Sequence, residues 1–289
     1  MDEISKKDVR YFTDSVVSRD GTRIGYRFLG SGPGVIIVHG GIMASQNFMK
    51  LAYYLSSKYT VYIHDRRGRG LSGPPGDGYS LIKEVEDIRA LVAKTGARNI
   101  YGLSSGAVIT LMSAMEVPEL QKIAVYEPPL IIKGITPVSF AEKYEAAMKE
   151  GKLAKAFVYV SKNITEKPFT VLTPDFILER MLDRSLKSQK VSGDDVALRD
   201  LIPTMHFDII LVSGTTGLVN MFAGLNKKVL LLGGTKSKNY LKKALDELEK
   251  VLPDSRRIKY PGFGHMSSTD AGRPDIIAKD LIAFYSSDN

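Results

Sequence analysis

The strongest constraint on this chain is a rhythm of apolar runs. Val35-Ile36-Ile37-Val38 and residues 59–63, 99–103 and 122–126 are strand-sized. Between them lie stretches with apolar side chains at helical spacing, such as Phe48, Leu51, Ala52 and Leu55, or Leu81, Val85, Ile88, Leu91 and Val92. The alternation stops after Pro128-Pro129 and resumes with strands at 228–232 and 256–260 and helices at 239–251 and 274–285. Strands alternating with helices predict an α/β protein with a mainly parallel sheet covered on both faces. Residues 16–26 predict a β-hairpin turning at Asp20-Gly21. The interval is mainly helical, with candidates at 140–149, 153–160, 175–186 and 194–201. The expected organisation is a core of residues 1–127 and 226–289, with residues 128–225 inserted as a helical lid over one sheet end.

Composition removes several classes of function. The 289 residues contain no Cys, which excludes a disulfide framework, a thiol nucleophile and Cys-ligated metal. Four His leave little room for a His-rich metal cluster. No apolar run approaches the length of a membrane span. The start, MDEISKKDVR, lacks the apolar stretch of a signal peptide, so a cytoplasmic location is expected. The formal net charge is +8, but basic pairs such as Lys227-Lys228 and Arg256-Arg257 are scattered among acidic residues, so no nucleic-acid partner is expected.

Gly102-Leu103-Ser104-Ser105-Gly106 carries the chemistry. A G-x-S-x-G pattern means little alone. Here it follows the strand residues Asn99-Ile100-Tyr101 and opens the helical run Ala107-Val108-Ile109-Thr110-Leu111-Met112. A strand–turn–helix of this kind is a nucleophile elbow: the turn strains the serine backbone, so the positions two before and two after it must be small. Ser104, not Ser105, falls at the apex.

Four segments in order then resemble the α/β-hydrolase superfamily, along nearly the whole chain. They are His39-Gly40-Gly41 after an apolar strand, Asp65-Arg66-Arg67-Gly68-Arg69-Gly70-Leu71-Ser72, the elbow, and Gly262-Phe263-Gly264-His265 after a late strand. The resemblance implies the α/β-hydrolase fold with an inserted helical cap and a Ser–acid–His site. His265, beyond the penultimate strand, is then the general base for Ser104. The oxyanion donors are expected from the backbone N–H groups of Ser105 and Gly41, with Ile42 as neighbouring candidate. His39 is expected to brace its loop. Arg66 and Arg67 are expected to hold theirs rather than bind an anionic substrate.

The acid departs from the family pattern. Its usual place follows the strand at 228–232, but Gly233-Gly234-Thr235-Lys236-Ser237-Lys238-Asn239 has no carboxylate before Asp246. One strand earlier, Ile123-Ala124-Val125-Tyr126 ends in Glu127, as in haloalkane dehalogenases with a relocated acid. Glu127 is therefore the expected acid, with Asp208 and Asp270 as alternatives.

A serine nucleophile separates this chain from haloalkane dehalogenases and epoxide hydrolases, which attack with a carboxylate. The expected reaction is hydrolysis of a carboxylic ester or thioester through an acyl-serine intermediate, without cofactor or metal. Carbon–carbon bond or amide hydrolysis by the same machinery is an alternative, and a ligand-binding role without catalysis is another. The expected partner is a small molecule. The lid residues Phe157, Tyr159, Phe169, Phe176, Met181, Met205, Phe207, Met221 and Phe222 suggest an enclosed apolar acyl group, although each taken singly is ordinary packing.

Overall fold

In a computed structural model, which describes residues 4–5, 8–137, 139–191 and 193–287, the chain opens with the predicted hairpin. Strands β1 (Phe12–Val17) and β2 (Arg23–Leu29) pair antiparallel, and Gly21 supplies the positive φ their turn requires. Then follow β3 (Gly34–Val38), α1 (Met49–Leu55), β4 (Thr60–His64), α2 (Leu81–Thr95), β5 (Asn99–Leu103), α3 (Ser105–Glu116) and β6 (Lys122–Tyr126). Helix α2 begins where the Ser80 hydroxyl accepts from the Lys83 N–H and ends at Gly96 in a left-handed conformation.

Among the described residues, six α-helices occupy the interval before the next strand. They are α4 (Ser139–Lys149), α5 (Leu153–Ile164), α6 (Pro168–Leu172), α7 (Asp175–Ser188), α8 (Leu198–Leu201) and α9 (Met205–Ser213). The core resumes with β7 (Lys228–Gly234), α10 (Asn239–Val251), β8 (Ser255–Tyr260) and α11 (Pro274–Ser286). The helix expected over 194–201 is shortened to α8. Upstream of it the Asp194 carboxylate accepts from Tyr11 Oη at 2.6 Å and the Asp195 carboxylate from Arg27 Nη2 at 2.9 Å. Both side chains tie the backbone to the sheet instead of letting it coil. Helix α9 escapes sequence reading because Met-His-Phe-Asp-Ile-Ile-Leu-Val-Ser sets His206, Asp208 and Ser213 among apolar residues without a helical period.

Among the described residues, eight strands form one sheet in the order β1-β2-β4-β3-β5-β6-β7-β8, parallel from β4 through β8. Strands β5 and β6 are buried along their whole length, so both faces of the sheet need helices. Ile88 and Leu91 of α2, Val108 of α3 and Leu245 of α10 cover one face. Leu51 and Leu55 of α1 and Ile277 and Leu281 of α11 cover the other. A third apolar cluster joins Ile42 and Ala44 to Tyr144, Ala156, Leu201 and Ile202 of the helical interval.

Register then sets up the site. Leu103 of β5 pairs with Tyr126 of β6, which pairs with Leu232 of β7. The next residues, Ser104, Glu127 and Gly233, therefore emerge side by side at the carboxyl edge of the sheet, where open parallel sheets bind ligands. No single helix among the described residues is long and apolar enough to cross a membrane.

Candidate active site

Ser104 sits at the end of β5 with φ +57° and ψ −127°, a conformation that costs a non-glycine residue about 1–3 kcal/mol. The fold imposes it by feeding a strand directly into α3. A Cβ on Gly102 would lie 2.3 Å from Thr110 Oγ1, and one on Gly106 would lie 2.3 Å from the Val38 carbonyl oxygen. Neither position accepts a side chain, as the elbow reading requires. Only two other non-glycine residues among those described have positive φ: Ile42 at +54° and Glu127 at +50°. All three lie at this one end of the sheet.

Glu127 is fully buried and divides its carboxylate between two donors. Oε2 accepts from His265 Nδ1 at 2.8 Å, and Oε1 accepts from the Gly234 N–H at 2.7 Å. An Nδ1–H held in this way leaves Nε2 of the imidazole as the free acceptor. The glycines at the usual acid position have a structural use. A Cβ on Gly233 would stand 3.2 Å from Glu127 Oε1 and 2.7 Å from Leu245 Cδ1. The missing side chain makes room for a carboxylate arriving from β6, and the next N–H holds it. Neither alternative for the acid is hydrogen-bonded to His265. Asp270 Oδ1 accepts from the Lys50 N–H at 2.8 Å, and Asp208 is engaged with two arginines.

Ser104, Ser105, Gly41 and His265 line one pocket, which with its mouth encloses about 780 Å³. Its walls are mostly apolar, including Pro129 and Ile131 after β6, Phe140, Val160 and Ile164 of α4 and α5, and Val212 of α9. Of the nine lid residues singled out from the sequence, only Met205 is among these lining residues. Phe169, Phe176 and Met181 are exposed on the outside, and Phe222 belongs to the core beneath. Composition identified an apolar lid, but helix orientation chose which residues face inward.

His39 braces its loop. Its Nε2 accepts from the Arg66 N–H at 3.1 Å and its Nδ1 faces the Gly40 carbonyl at 2.9 Å, the pattern of a neutral ring. Burial, with Arg69 and Arg66 nearby, holds its pKa well below the histidine range. Arg67 is spent on structure, donating to Asp87 at 2.6 Å and 2.8 Å and to Asp20 at 2.8 Å.

Sequence reasoning missed the buried ionic group around Arg66. Arg66 donates to Glu84 at 2.9 Å, Tyr79 Oη at 2.8 Å and Asp208 Oδ1 at 2.7 Å. Arg69 donates to Asp208 Oδ2 at 2.6 Å, and Ser105 Oγ donates to Asp208 Oδ1 at 2.6 Å. Burial raises the Asp208 pKa, but Arg69 and Arg66 outweigh it and bring the carboxyl below the usual aspartate range. For Arg66, burial is likewise outweighed, here by Glu84 and Asp208, and its pKa rises well above the ordinary value. The sequence signal was present as an arginine at both variable positions of the D-x-R-G-x-G segment, without a visible partner.

Known proteins resemble this arrangement over most of the chain. A family model described as alpha/beta hydrolase fold matches residues 33–271. The uncharacterized hydrolase YraK of Bacillus subtilis (strain 168) is 26% identical over 84% of this chain and 86% of its own length. The 2-(acetamidomethylene)succinate hydrolase of Mesorhizobium japonicum is 26% identical over 88% of each. Among solved structures, an alpha/beta hydrolase from Sphaerobacter thermophilus DSM 20745 superposes with a TM-score of 0.76 at 26% identity, covering 94% of this chain and 100% of its own.

Proposed function

This chain belongs to the α/β-hydrolase family, and from that premise we propose that it is a serine hydrolase cleaving a carboxylic ester or thioester through an acyl-serine intermediate. Ser104 is the nucleophile, His265 the general base and Glu127 the orienting acid. Residues 128–225 form the cap over the pocket, and the substrate presents an apolar acyl group to its walls. The observation that carries the reading is the buried 2.8 Å contact between Glu127 and His265, where His265 lines the same pocket as a strained elbow serine.

Ser104 Oγ attacks the acyl carbon and its proton passes to His265 Nε2. Glu127 holds the ring in the required tautomer and stabilises the imidazolium that forms. Negative charge moves to the carbonyl oxygen, which accepts from the backbone N–H groups of Ser105 and Gly41, with that of Ile42 adjacent. Each such donor contributes about 3–4 kcal/mol to the barrier reduction. The imidazolium then protonates the departing alkoxide or thiolate. Water, deprotonated by the same imidazole, releases the acyl group.

Incubation with a fluorophosphonate followed by peptide mapping tests the assignment. The label is expected on Ser104, and Ser104→Ala is expected to abolish both labelling and turnover of an activated ester while leaving the melt unchanged. Labelling at another residue, or wild-type turnover by purified Ser104→Ala, removes Ser104 from the mechanism.

A further inference from the structure

The cap touches the core at several places, and most of them look like simple anchorage. Gln46 Nε2 donates to the Val196 carbonyl, and Arg27 reaches Asp195, both away from the pocket residues. Asp208 of α9 differs. It lines the pocket, is only 1% exposed, and its carboxylate lies against both backbone segments assigned to the oxyanion.

One segment is the start of α3. Ser105 Oγ donates to Asp208 Oδ1 at 2.6 Å and accepts from Arg66 Nη1 at 3.2 Å. A serine hydroxyl at a helix start otherwise competes for nearby backbone N–H groups. Bound to Asp208, it is drawn away from the amides around Ser104. The other segment is the loop after β3. A Cβ on Gly41 would stand 3.1 Å from both Cγ and Oδ2 of Asp208 and 3.0 Å from Met205 Sδ. The backbone at Gly41 is therefore backed directly by α9, and a side chain there would press on Asp208 and Met205.

The charges around this contact are matched. Arg66 and Arg69 balance Asp208 and Glu84, so a carboxylate near the nucleophile adds no net negative charge to oppose a developing oxyanion.

We infer that Asp208 is a positioning residue for the proposed hydrolysis: from the cap it sets the backbone donors at Ser105 and Gly41, so cap docking and assembly of the oxyanion hole are one event. The inference rests on the serine hydrolase reading. It assigns Asp208 no contact with the reacting atoms; the residue acts through Ser105 and the Gly41 loop.

The test compares wild type, Asp208→Asn, Ser105→Ala and the double variant. The readouts are ester hydrolysis, inhibition by a trifluoromethyl ketone that forms a tetrahedral adduct, and thermal melts. Asp208→Asn keeps the shape but removes the charge that Arg66 and Arg69 share, and Ser105→Ala removes only the hydroxyl. For Asp208→Asn, kcat is expected to fall about ten- to a hundredfold with KM within about threefold, and inhibitor affinity to fall in parallel with kcat/KM. Ser105→Ala is expected to lose about five- to tenfold in kcat, and the double variant to be little worse than Asp208→Asn, since both act through one contact. A folded Asp208→Asn with wild-type kcat and inhibitor affinity overturns the inference, whether or not its melting temperature falls. So does a raised KM at constant kcat, which would make Asp208 a pocket wall. Should Asp208→Asn fail to fold, Ser105→Ala decides alone, and wild-type kcat in that variant refutes the coupling. Wild-type protein that neither hydrolyses esters nor takes the fluorophosphonate label overturns the serine hydrolase reading itself, an outcome distinct from these.

Discussion

Glu127→Gln isolates the charge of the proposed acid at nearly constant volume. In the native site Oε1 accepts from the Gly234 N–H at 2.7 Å and Oε2 from His265 Nδ1 at 2.8 Å. A glutamine amide can satisfy only one of these. If its oxygen keeps the Gly234 N–H, its NH2 faces Nδ1, the ring must carry its proton on Nε2, and it cannot take one from Ser104. If the amide flips, His265 has the productive tautomer, but the Gly234 N–H meets another donor in a buried place, at a cost of about 1–3 kcal/mol. Even then the imidazolium loses a charged partner, worth about a further 1–2 kcal/mol in the transition state. Together about 2–5 kcal/mol are lost, which is roughly thirtyfold to several-thousandfold in turnover. The assay is kcat and KM on an activated ester, with thermal denaturation alongside. The expected result is a fall in kcat in that range and a melting temperature within a few degrees of wild type. A glutamine variant within about threefold of the wild-type kcat would refute the reasoning. Glu127 would then be a brace for the loop before the cap, and its role would be visible only in the melt of Glu127→Ala.

Three further outcomes are expected. His265→Ala should lose ester hydrolysis while keeping its melting temperature; wild-type turnover in that variant would show that another group is the base. Gly233→Ala should lower kcat without touching Glu127 covalently, because its Cβ would stand 3.2 Å from Glu127 Oε1 and 2.7 Å from Leu245 Cδ1. Unchanged kinetics in that variant would show that the carboxylate does not depend on the space. His64 should make the fold acid-sensitive, since burial lowers its pKa from 6.5 to about 4. A depressed folded pKa means that its contribution is complete above the unfolded value and is lost as pH falls through the window from 6.5 to about 4. His64→Gln should accordingly reduce the stability difference between about pH 7.5 and pH 5 by about 2 kcal/mol, measured by urea unfolding, and an identical difference in both proteins would contradict it.

The fold was legible in the sequence because its signals are local. Strands such as Val35-Ile36-Ile37-Val38 are continuous apolar runs, and α2 carries its period, its Ser80 cap and its Gly96 stop within a short segment. The elbow was legible for a similar reason: Gly102 and Gly106 are demanded by contacts that the strand–turn–helix itself creates. Helix α9 was not legible, since His206, Asp208 and Ser213 fall among its apolar residues without a helical period, and packing alone decides which face is buried.

Ser104, His265 and Glu127 were named from their order in the chain and from an empty carboxylate position. Sequence could rank Glu127 above Asp208 and Asp270 but could not bring any of them to His265. That depended on the β5–β6–β7 register, which sets Glu127 beside Gly233, and on a Gly233 without a side chain. Likewise Arg66 was expected only to hold its own loop, Arg69 had no assigned task, and Asp208 was a candidate for another one. Their contact joins residues more than a hundred positions apart across the cap–core seam. Local pattern determines which elements form, because propensity and periodicity act over neighbouring residues. Which buried charges meet is decided by packing, because a guanidinium in the interior is stable only where the fold delivers its carboxylate.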